Sequence, residues 1–583
     1  MVKKLRTYLT LLGAVLLCAG AQLAGPASAK AAGTQDLMLG VFWNSDKDLS
    51  DTLYASANGL EFQRIGTPIK TAGNGSDVAV GLPVNYVHAI HDPGLFYKDG
   101  YFWMIGGFVQ DQRSSGRGYR FMPMFSASKD LVHWSYPNST KVEGTLPSPF
   151  PSGTTADKSF DTAGTEAFAD DDGSVWVVTS LGHFGPHHGE SSSVDNMTPY
   201  IMKVSGLEPA ADPAVDPAIL PKGEYGTLSP INLPISDKNW IDPAIYKENG
   251  TYYLSIKRNG VTNMIFSIKD LNRAGDPNAW TLVCGNVVTG YEGPSLTNLN
   301  GTYLMYTDKL ADFPYMASDG TTGTFVTRSS SLNSGWHGTQ RIYTLGLDSN
   351  GKKYTIPNRH GSVLRVPAEA RQTVLNAIKK AGWDEPQAAD ATAFWDVNYA
   401  DWYADAVKFS NRNGLIKGYS GGDPTFGVGQ PLTRAQLAAI LWRVADPDAA
   451  NAYTGTAANE TGMPDVAANQ WYTGAANWAV KHGVINGSDG RFAPNDPVTL
   501  EQMIAIIANY TAKDEAANAD QSVLNAFRDQ SSISGWARSS VAWGKTVGLV
   551  NGYANGNLGP RERVNRERAA AILYNAFEKG ILD

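Results

Sequence analysis

The chain has 583 residues, 42% of them hydrophobic and 10% aromatic, with 60 Gly and a formal net charge of −8. That length exceeds one ordinary core and predicts more than one domain. The acidic balance excludes nucleic acid as a partner.

Lys3, Lys4 and Arg6 precede an apolar run from about Leu9 to Ala19, and Ala27-Ser28-Ala29 offers a small-residue cleavage site. This predicts a secretory signal peptide over 1–29. The run is too short for a comfortable membrane span, so no membrane insertion is expected after cleavage. Removing the three cations takes the net charge from −8 to −11. Val15-Leu16-Leu17 before Cys18 is a poor lipoprotein signal. Cys284 alone then remains, which excludes an intramolecular disulfide.

The next segment, 30–368, repeats one pattern. An acidic residue comes first, then a short apolar strand, a Gly-containing turn and an aromatic-rich strand. The first copy runs from His91-Asp92-Pro93-Gly94 to Gly107. Others begin at Glu166, at Trp240-Ile241-Asp242-Pro243 and at Tyr291-Glu292-Gly293-Pro294. A degenerate fifth copy is Arg359-His360-Gly361-Ser362. Each reads as a β-hairpin. The copies lie roughly 50 to 75 residues apart, the spacing of propeller blades. The expected fold is an all-β, five-bladed β-propeller. Its inner strands would line a central channel, with Asp92, Asp242 and Glu292 at matching blade positions around one mouth. Glu166 takes the second blade's equivalent place and is read as structural or substrate-orienting.

Two stretches, Ser126 to Trp134 and Ser267 to Trp280, share a Lys-Asp-Leu core after a Ser-containing strand and read as outer strands with a turn. Between Gly182 and Pro221 the chain is loop-rich. His183, His187 and His188 fall close together there, but their spacing is irregular for a metal site. A surface or substrate-facing loop is expected.

A helix is predicted from Pro367 to Gly382, overlapping a linker of 369–392. The remaining third holds three copies of a helical unit, over 393–445, 463–513 and 526–583. Each opens with an Asp turn, as at Asp396-Val397, Asp465-Val466 and Asp529. A Trp, a helix, a Gly-rich loop and a second helix follow. The second helices start at Thr433-Arg434-Ala435-Gln436, Thr499-Leu500-Glu501-Gln502 and Asn565-Arg566-Glu567-Arg568. The repeated Trp residues read as packing residues.

These three units resemble S-layer homology modules. The resemblance implies non-covalent attachment to an anionic cell-wall glycan and a secreted protein held on the bacterial wall surface. Arg434 and Arg566 occupy the family's basic position, where a guanidinium can pair a carboxylate bidentately beside a helix N-terminus. The second unit departs from the pattern with Leu500, and the third has Asn565 where Thr is usual.

The N-terminal repeats resemble the five-bladed propeller of glycoside hydrolase family 43, on His91-Asp92-Pro93, Ile241-Asp242-Pro243, Glu292-Gly293-Pro294 and Arg359-His360-Gly361 in that order. The resemblance implies an inverting glycosidase acting on arabinose- or xylose-containing plant polysaccharide or oligosaccharide. Glu292 would be the general acid and Asp92 the general base, with carboxyls roughly 6.5–9.5 Å apart. Asp242 would modulate the acid's pKa and orient it. His360 would face the channel and help position an ion through water. No cofactor is required, and calcium is the one the resemblance admits. Trp43, His88, Phe108 and Arg258 are candidate substrate-binding residues. Two alternatives stay open: a catalytically inactive, glycan-binding surface propeller, and a fructan hydrolase. Ile241 before Asp242 and Gly293 after Glu292 count against the latter.

Overall fold

The computed structural model describes residues 36–44, 50–69, 92–111, 119–135, 159–184, 195–209, 212, 221–237, 239–258, 261–309, 323–421 and 423–582. The signal-peptide expectation over 1–29, His88, His187 and His188 lie outside them.

Five sheets form the five blades. The first holds Gly94–Lys98, Tyr101–Asp111 and Tyr119–Ser128. The second holds Ser159–Ala169, Val175–Phe184, Asp195–Glu208 and Lys222–Tyr225, with Ser229–Pro230 alongside. The third is Trp240–Glu248, Thr251–Arg258, Thr262–Ile268 and Thr281–Cys284. The fourth is Glu292–Leu299, Thr302–Lys309, Gly323–Ser329 and His337–Arg341. The fifth joins the two ends of the propeller: Arg359–Arg365 pairs antiparallel with Met38–Asn44. Ser50–Ser56 and Glu61–Ile69 follow outward, then Tyr343–Leu347 and Lys353–Thr355. The first strand of each set packs beside its neighbours in a closed ring.

Local sequence explains the hairpins. Asp99-Gly100, Asn249-Gly250 and Asn300-Gly301 link inner to second strands, and all six residues have positive φ, between 49 and 88°. Those are the turns whose twist matches the flanking strands. The Lys-Asp-Leu stretches follow third strands. The first blade's is the outer one of its three described strands, as expected, while the third blade's is covered by Thr281–Cys284. Leu131, Trp134, Leu271 and Trp280 are buried there. Apolar faces interdigitate between blades. Phe96, Trp103 and Phe125 of the first blade meet Val175, Val177 and Met202 of the second.

After the propeller, the helix Arg371–Lys380 packs Val374, Leu375 and Ile378 into the cluster that holds Leu53, Leu131 and Leu345. Trp383 Nε1 donates to the Arg64 carbonyl at 2.9 Å.

The three helical units close into a pseudo-threefold ring. Leu432 N–H donates to Val564 O, Val564 N–H to Val498 O, and Val498 N–H to Leu432 O, at 2.8–2.9 Å. Each Asp of the opening turn clamps its own unit's Gly-rich loop. Asp396 accepts from the N–H groups of Phe426, Gly427 and Val428, Asp465 from Phe492 and Ala493, and Asp529 from Leu558 and Gly559. The Trp expectation is corrected. Trp402, Trp471 and Trp536 are 67%, 53% and 61% exposed, because Tyr403, Tyr472 and Ala537 take the buried positions beside them. No helix among the described residues is long and apolar enough to cross a membrane.

The ring docks on the propeller. Lys408 donates to Glu61 at 2.8 Å, Arg328 to Asp423 at 2.5 Å, and the Arg328 guanidinium lies 3.7 Å from the Trp395 ring centroid. Trp43 and Asp51 pair at one end of their strands, and the chain turns at Asn58 beyond the other end, just before Glu61. The docked end is thus opposite the one carrying Trp43 and Arg359.

Candidate active site and intermodule grooves

The inner strands of the third to fifth blades are disturbed at their start, and that of the second at its middle. Pairing shifts between Ala163 and Thr165, between Ile241 and Ala244, between Glu292 and Ser295, and opposite Phe42 and Trp43. The residues caught in these bulges include Gly164, Asp242, Gly293 and His360. Asp92 stands just before the first inner strand. Asp92, Gly164, Asp242 and Gly293 have φ of 54, 63, 56 and 61°. Bulges re-aim side chains, and the left-handed conformation suits Gly and is tolerated by Asp.

These positions adjoin around the mouth. A Cβ on Gly164 would stand 2.6 Å from Asp242 Cα, and one on Gly293 would stand 2.7 Å from His360 Cε1. The two glycines therefore leave the space that Asp242 and His360 fill. Asp242 Oδ2 accepts from the Gly293 N–H at 3.0 Å. Asp92 Oδ1 lies 3.2 Å from His360 Nδ1.

The register corrects the expected equivalence of the three acids. Glu292 pairs opposite Asp308 as Ile241 pairs opposite Lys257, so the counterpart of Asp92 and Asp242 is Gly293. Glu292 precedes the bulge by one residue, and Glu166 follows Gly164 by two. An inserted bulge residue shifts side chains between faces, which a motif alone does not reveal. Asp242 is close enough to Glu292 for charge coupling, but its hydrogen bond goes to the next residue's backbone. Lys257 instead holds the Glu292 carboxylate, at 2.9 Å.

Burial and charge set the protonation states. Burial pushes Asp242 up to about 6; His360 opposes this, while Glu292 and Asp92 add to it. Burial lifts Glu166 to about 8, against a hydrogen bond from Ser362 at 3.1 Å and the nearby His360. Asp308 rises to about 6 through burial, against the Arg359 guanidinium. Burial, then Asp92, raises Asp51 well above the carboxylate range. For His360, burial acts downward, but Asp92, Asp242, Asp308 and Glu292 together outweigh it and hold it at about 9. At neutral pH the mouth thus holds an imidazolium among carboxylates and a neutral Glu166.

Asp92, Asp242 and His360 each offer one ligand atom, all within 4.8 Å of one another. Calcium takes about six to eight oxygen ligands, and this trio supplies two carboxylates and an imidazole. The proton on His360 already supplies positive charge between the acids. The residues do not form a dedicated calcium cage.

The remaining candidates fall as follows. Arg258 ends its strand at the mouth and ion-pairs with Asp237 at 2.5 Å. Trp43 and Phe108 sit on mouth-side strand ends, opposite Arg359 and Met122; their side chains lie outside the description. Sequence reasoning missed Lys257, Asp308, Arg359 and Asp51. Arg359 stands in the degenerate fifth copy without having been assigned a role, and the other three sit in no repeated motif. The usable signal was cross-strand register, which sets Asp308 directly opposite Glu292.

In the helical ring, each second helix begins against the next unit's loop. Arg434 Nε donates to Phe492 O at 2.7 Å, with its guanidinium 5.8 Å from that ring's centroid. Arg566 Nε donates to Phe426 O at 2.7 Å, with its guanidinium 4.6 Å from the Tyr419 centroid. Both arginines therefore line grooves between units, not pockets within their own. Leu500 takes the same place in the groove between the second and third units, its N–H donating to Glu562 O.

The family model of the S-layer homology domain matches residues 394–438, 462–504 and 526–570. Among curated proteins, the chain is 30% identical over 179 residues to an amylopullulanase of Thermoanaerobacterium thermosulfurigenes, covering 31% of this chain and 9% of that one. It is 27% identical over 179 residues to exoglucanase XynX of Acetivibrio thermocellus, covering 31% and 16%. A cell surface protein of Thermoanaerobacter kivui is 30% identical over 191 residues, covering 33% and 22%. The matched segment is thus under a quarter of each relative's length. Among solved structures, an alpha-L-arabinanase of Cellvibrio cellulosa aligns with 48% of this chain and 79% of its own, at 15% identity and a TM-score of 0.27. An alpha-L-arabinofuranosidase of Lactobacillus brevis aligns with 47% and 89%, at 13% identity and 0.28. The C-terminal third of this chain is a set of three S-layer homology domains, joined to a five-bladed β-propeller.

Proposed function

We propose that this protein is a secreted glycoside hydrolase held on the bacterial cell wall, cleaving arabinofuranosyl or xylosyl linkages in arabinan or arabinoxylan with inversion. The observation that carries the reading is the meeting of Asp92, Asp242 and Glu292 at one mouth. The motif resemblance to family 43 supplies the roles and the sugar class.

In the proposed step, Asp92 takes a proton from a water molecule as that oxygen bonds to the anomeric carbon. The glycosidic C–O bond breaks, and its electron pair leaves on the departing oxygen. Glu292 delivers a proton to that oxygen. Asp92 ends protonated and Glu292 ionised, and exchange with solvent resets both. Asp242 acts through the Gly293 backbone, fixing the segment that carries Glu292. His360 holds Asp92 in place by its ion pair.

The S-layer homology domains attach the protein to an anionic wall glycan through Arg434 and Arg566. They dock at the end of the propeller remote from the acids, which leaves the mouth turned away from that contact. Wall attachment is tested on the full chain, since the ring and propeller share an apolar cluster. Arg434→Ala with Arg566→Ala should stop co-sedimentation with purified walls while the fold survives.

One observation favours a binding-only propeller instead: Lys257 pairs with the carboxyl that must donate a proton. A panel of arabinan, arabinoxylan and aryl-glycosides, with the product anomer read by proton NMR, separates the readings. Hydrolysis with inverted product supports the proposal; retained configuration refutes the mechanism, and glycan binding without hydrolysis refutes the activity.

A further inference from the structure

The three intermodule grooves share a frame but differ in charge. Each is built from the start of one second helix and the clamped loop of the next unit. Residue by residue, Gln430, Asp496 and Glu562 hold equivalent places, two residues before Leu432, Val498 and Val564 of the axial hydrogen-bond ring.

The groove of Arg566 has Gln430 at this place, and the backbone joins the two, with Arg566 N–H on Gln430 O at 2.9 Å. Arg566 is 6% exposed, and no carboxylate lies within ion-pair distance of it among the described residues. Asp396 acts on Arg566 from beyond ion-pair distance, and a buried guanidinium on two aromatic faces with no carboxylate paired to it favours an incoming anion. The groove of Arg434 has Asp496. That carboxylate influences Arg434 but forms no ion pair with it. The third groove has Leu500 in place of arginine, yet it does hold a guanidinium. Arg568 lies over the Tyr553 ring at 5.0 Å and reaches Leu558 O at 3.5 Å, the contacts Arg566 makes with Tyr419 and Phe426.

The helix start explains why Arg568 is there. Gln436 and Gln502 close capping boxes with Thr433 and Thr499. In the third unit Asn565 makes no side-chain cap, and Arg568 stands where those glutamines do. Freed from capping, it turns into the groove. There Glu562 receives it at 2.8 Å, and Tyr553 OH also donates to Glu562.

We infer that Glu562, half-exposed at the groove edge, is a carboxylate of the chain's own that closes the third groove, so anionic wall glycan binds at the Arg566 and Arg434 grooves and not at Arg568. The inference rests on the wall-binding reading. Carboxylate on guanidinium is the same contact the ligand would make, supplied in advance by the chain.

The test is calorimetric titration of the full chain with size-fractionated acidic oligosaccharide released from cell walls. A sample with its carboxyls reduced to alcohols serves as the control. Wild type should take two equivalents. Glu562→Gln should raise this to three, and Gln430→Glu, which copies the closing residue into the Arg566 groove, should lower it to one. The charge-matched pair guards against a folding artefact, and melting curves check both variants. Unchanged stoichiometry in both variants, with binding lost in Arg434→Ala plus Arg566→Ala, overturns the closure and keeps the wall reading. No carboxyl-dependent binding by wild type overturns both.

Discussion

Lys257 Nζ lies 2.9 Å from Glu292 Oε2, reaching from the third blade to the start of the fourth. The pair is mostly buried, with side chains 14% and 21% exposed. It fixes the Glu292 carboxyl where Asp242 alone was expected to do so. Lys257→Met should therefore lower kcat by about tenfold while KM moves less than about twofold, the pattern of a lost transition-state contact. Lys257→Arg should recover part of the loss. Steady-state kinetics on an aryl-glycoside decide this, and an increase in KM alone would assign Lys257 to substrate binding.

The mouth should lose stability as pH rises. Glu166 goes from an ordinary 4.5 to about 8 and Asp242 from 3.8 to about 6, so the folded state keeps protons that the unfolded chain releases in those intervals. His360 goes from 6.5 to about 9; its stabilising charge is complete below 6.5 and lost as pH passes 9. All three act in the same direction. The melting temperature should fall from about pH 5 to about pH 9. Glu166→Gln, neutral at every pH, should flatten the part of that slope between 4.5 and about 8. A wild-type slope that rises with pH would contradict these protonation states.

The contact between ring and propeller includes one buried pair. Glu61 is 5% exposed and takes Lys408 at 2.8 Å. Lys408→Met leaves that carboxylate without its nearest cation and should cost roughly 3–5 kcal/mol. Adding Glu61→Gln should restore most of it, as expected for one coupled pair. Denaturant unfolding of the two single variants and the double variant measures the coupling, and strict additivity would show that the pair contributes nothing.

The aspartate clamps differ in number of bonds. Asp396 receives three N–H groups, while Asp465 and Asp529 each receive two. Asp396→Ala should cost about 3 kcal/mol and the other two alanine variants less. Unfolding curves give the order, and an equal cost at all three sites would contradict it.

Repeats made the architecture readable. Asn-Gly and Asp-Gly turns announced the hairpins, and Thr-x-x-Gln announced two helix starts. The site was only partly readable. Asp242 sits in a bulge and Asp92 stands just before its strand, both with positive φ, but a bulge adds a residue without changing the motif, so Glu292 was placed one step wrong. Asp308 meets Glu292 through strand pairing and Lys257 reaches it across the interface between two blades, and neither relation has a local signature. Arg434 and Arg566 were legible as helix-start residues. That each serves its neighbour's loop follows only from ring closure through Leu432, Val498 and Val564.

The account stands on Glu292 as proton donor beside Asp92. Reducing-sugar release from arabinan and arabinoxylan by wild type, Glu292→Gln and Asp92→Asn tests it most directly, with glycan binding by titration alongside. The account predicts hydrolysis by wild type, a loss of at least about a hundredfold in each variant, and binding retained in both. Undiminished hydrolysis by Glu292→Gln or Asp92→Asn would contradict it.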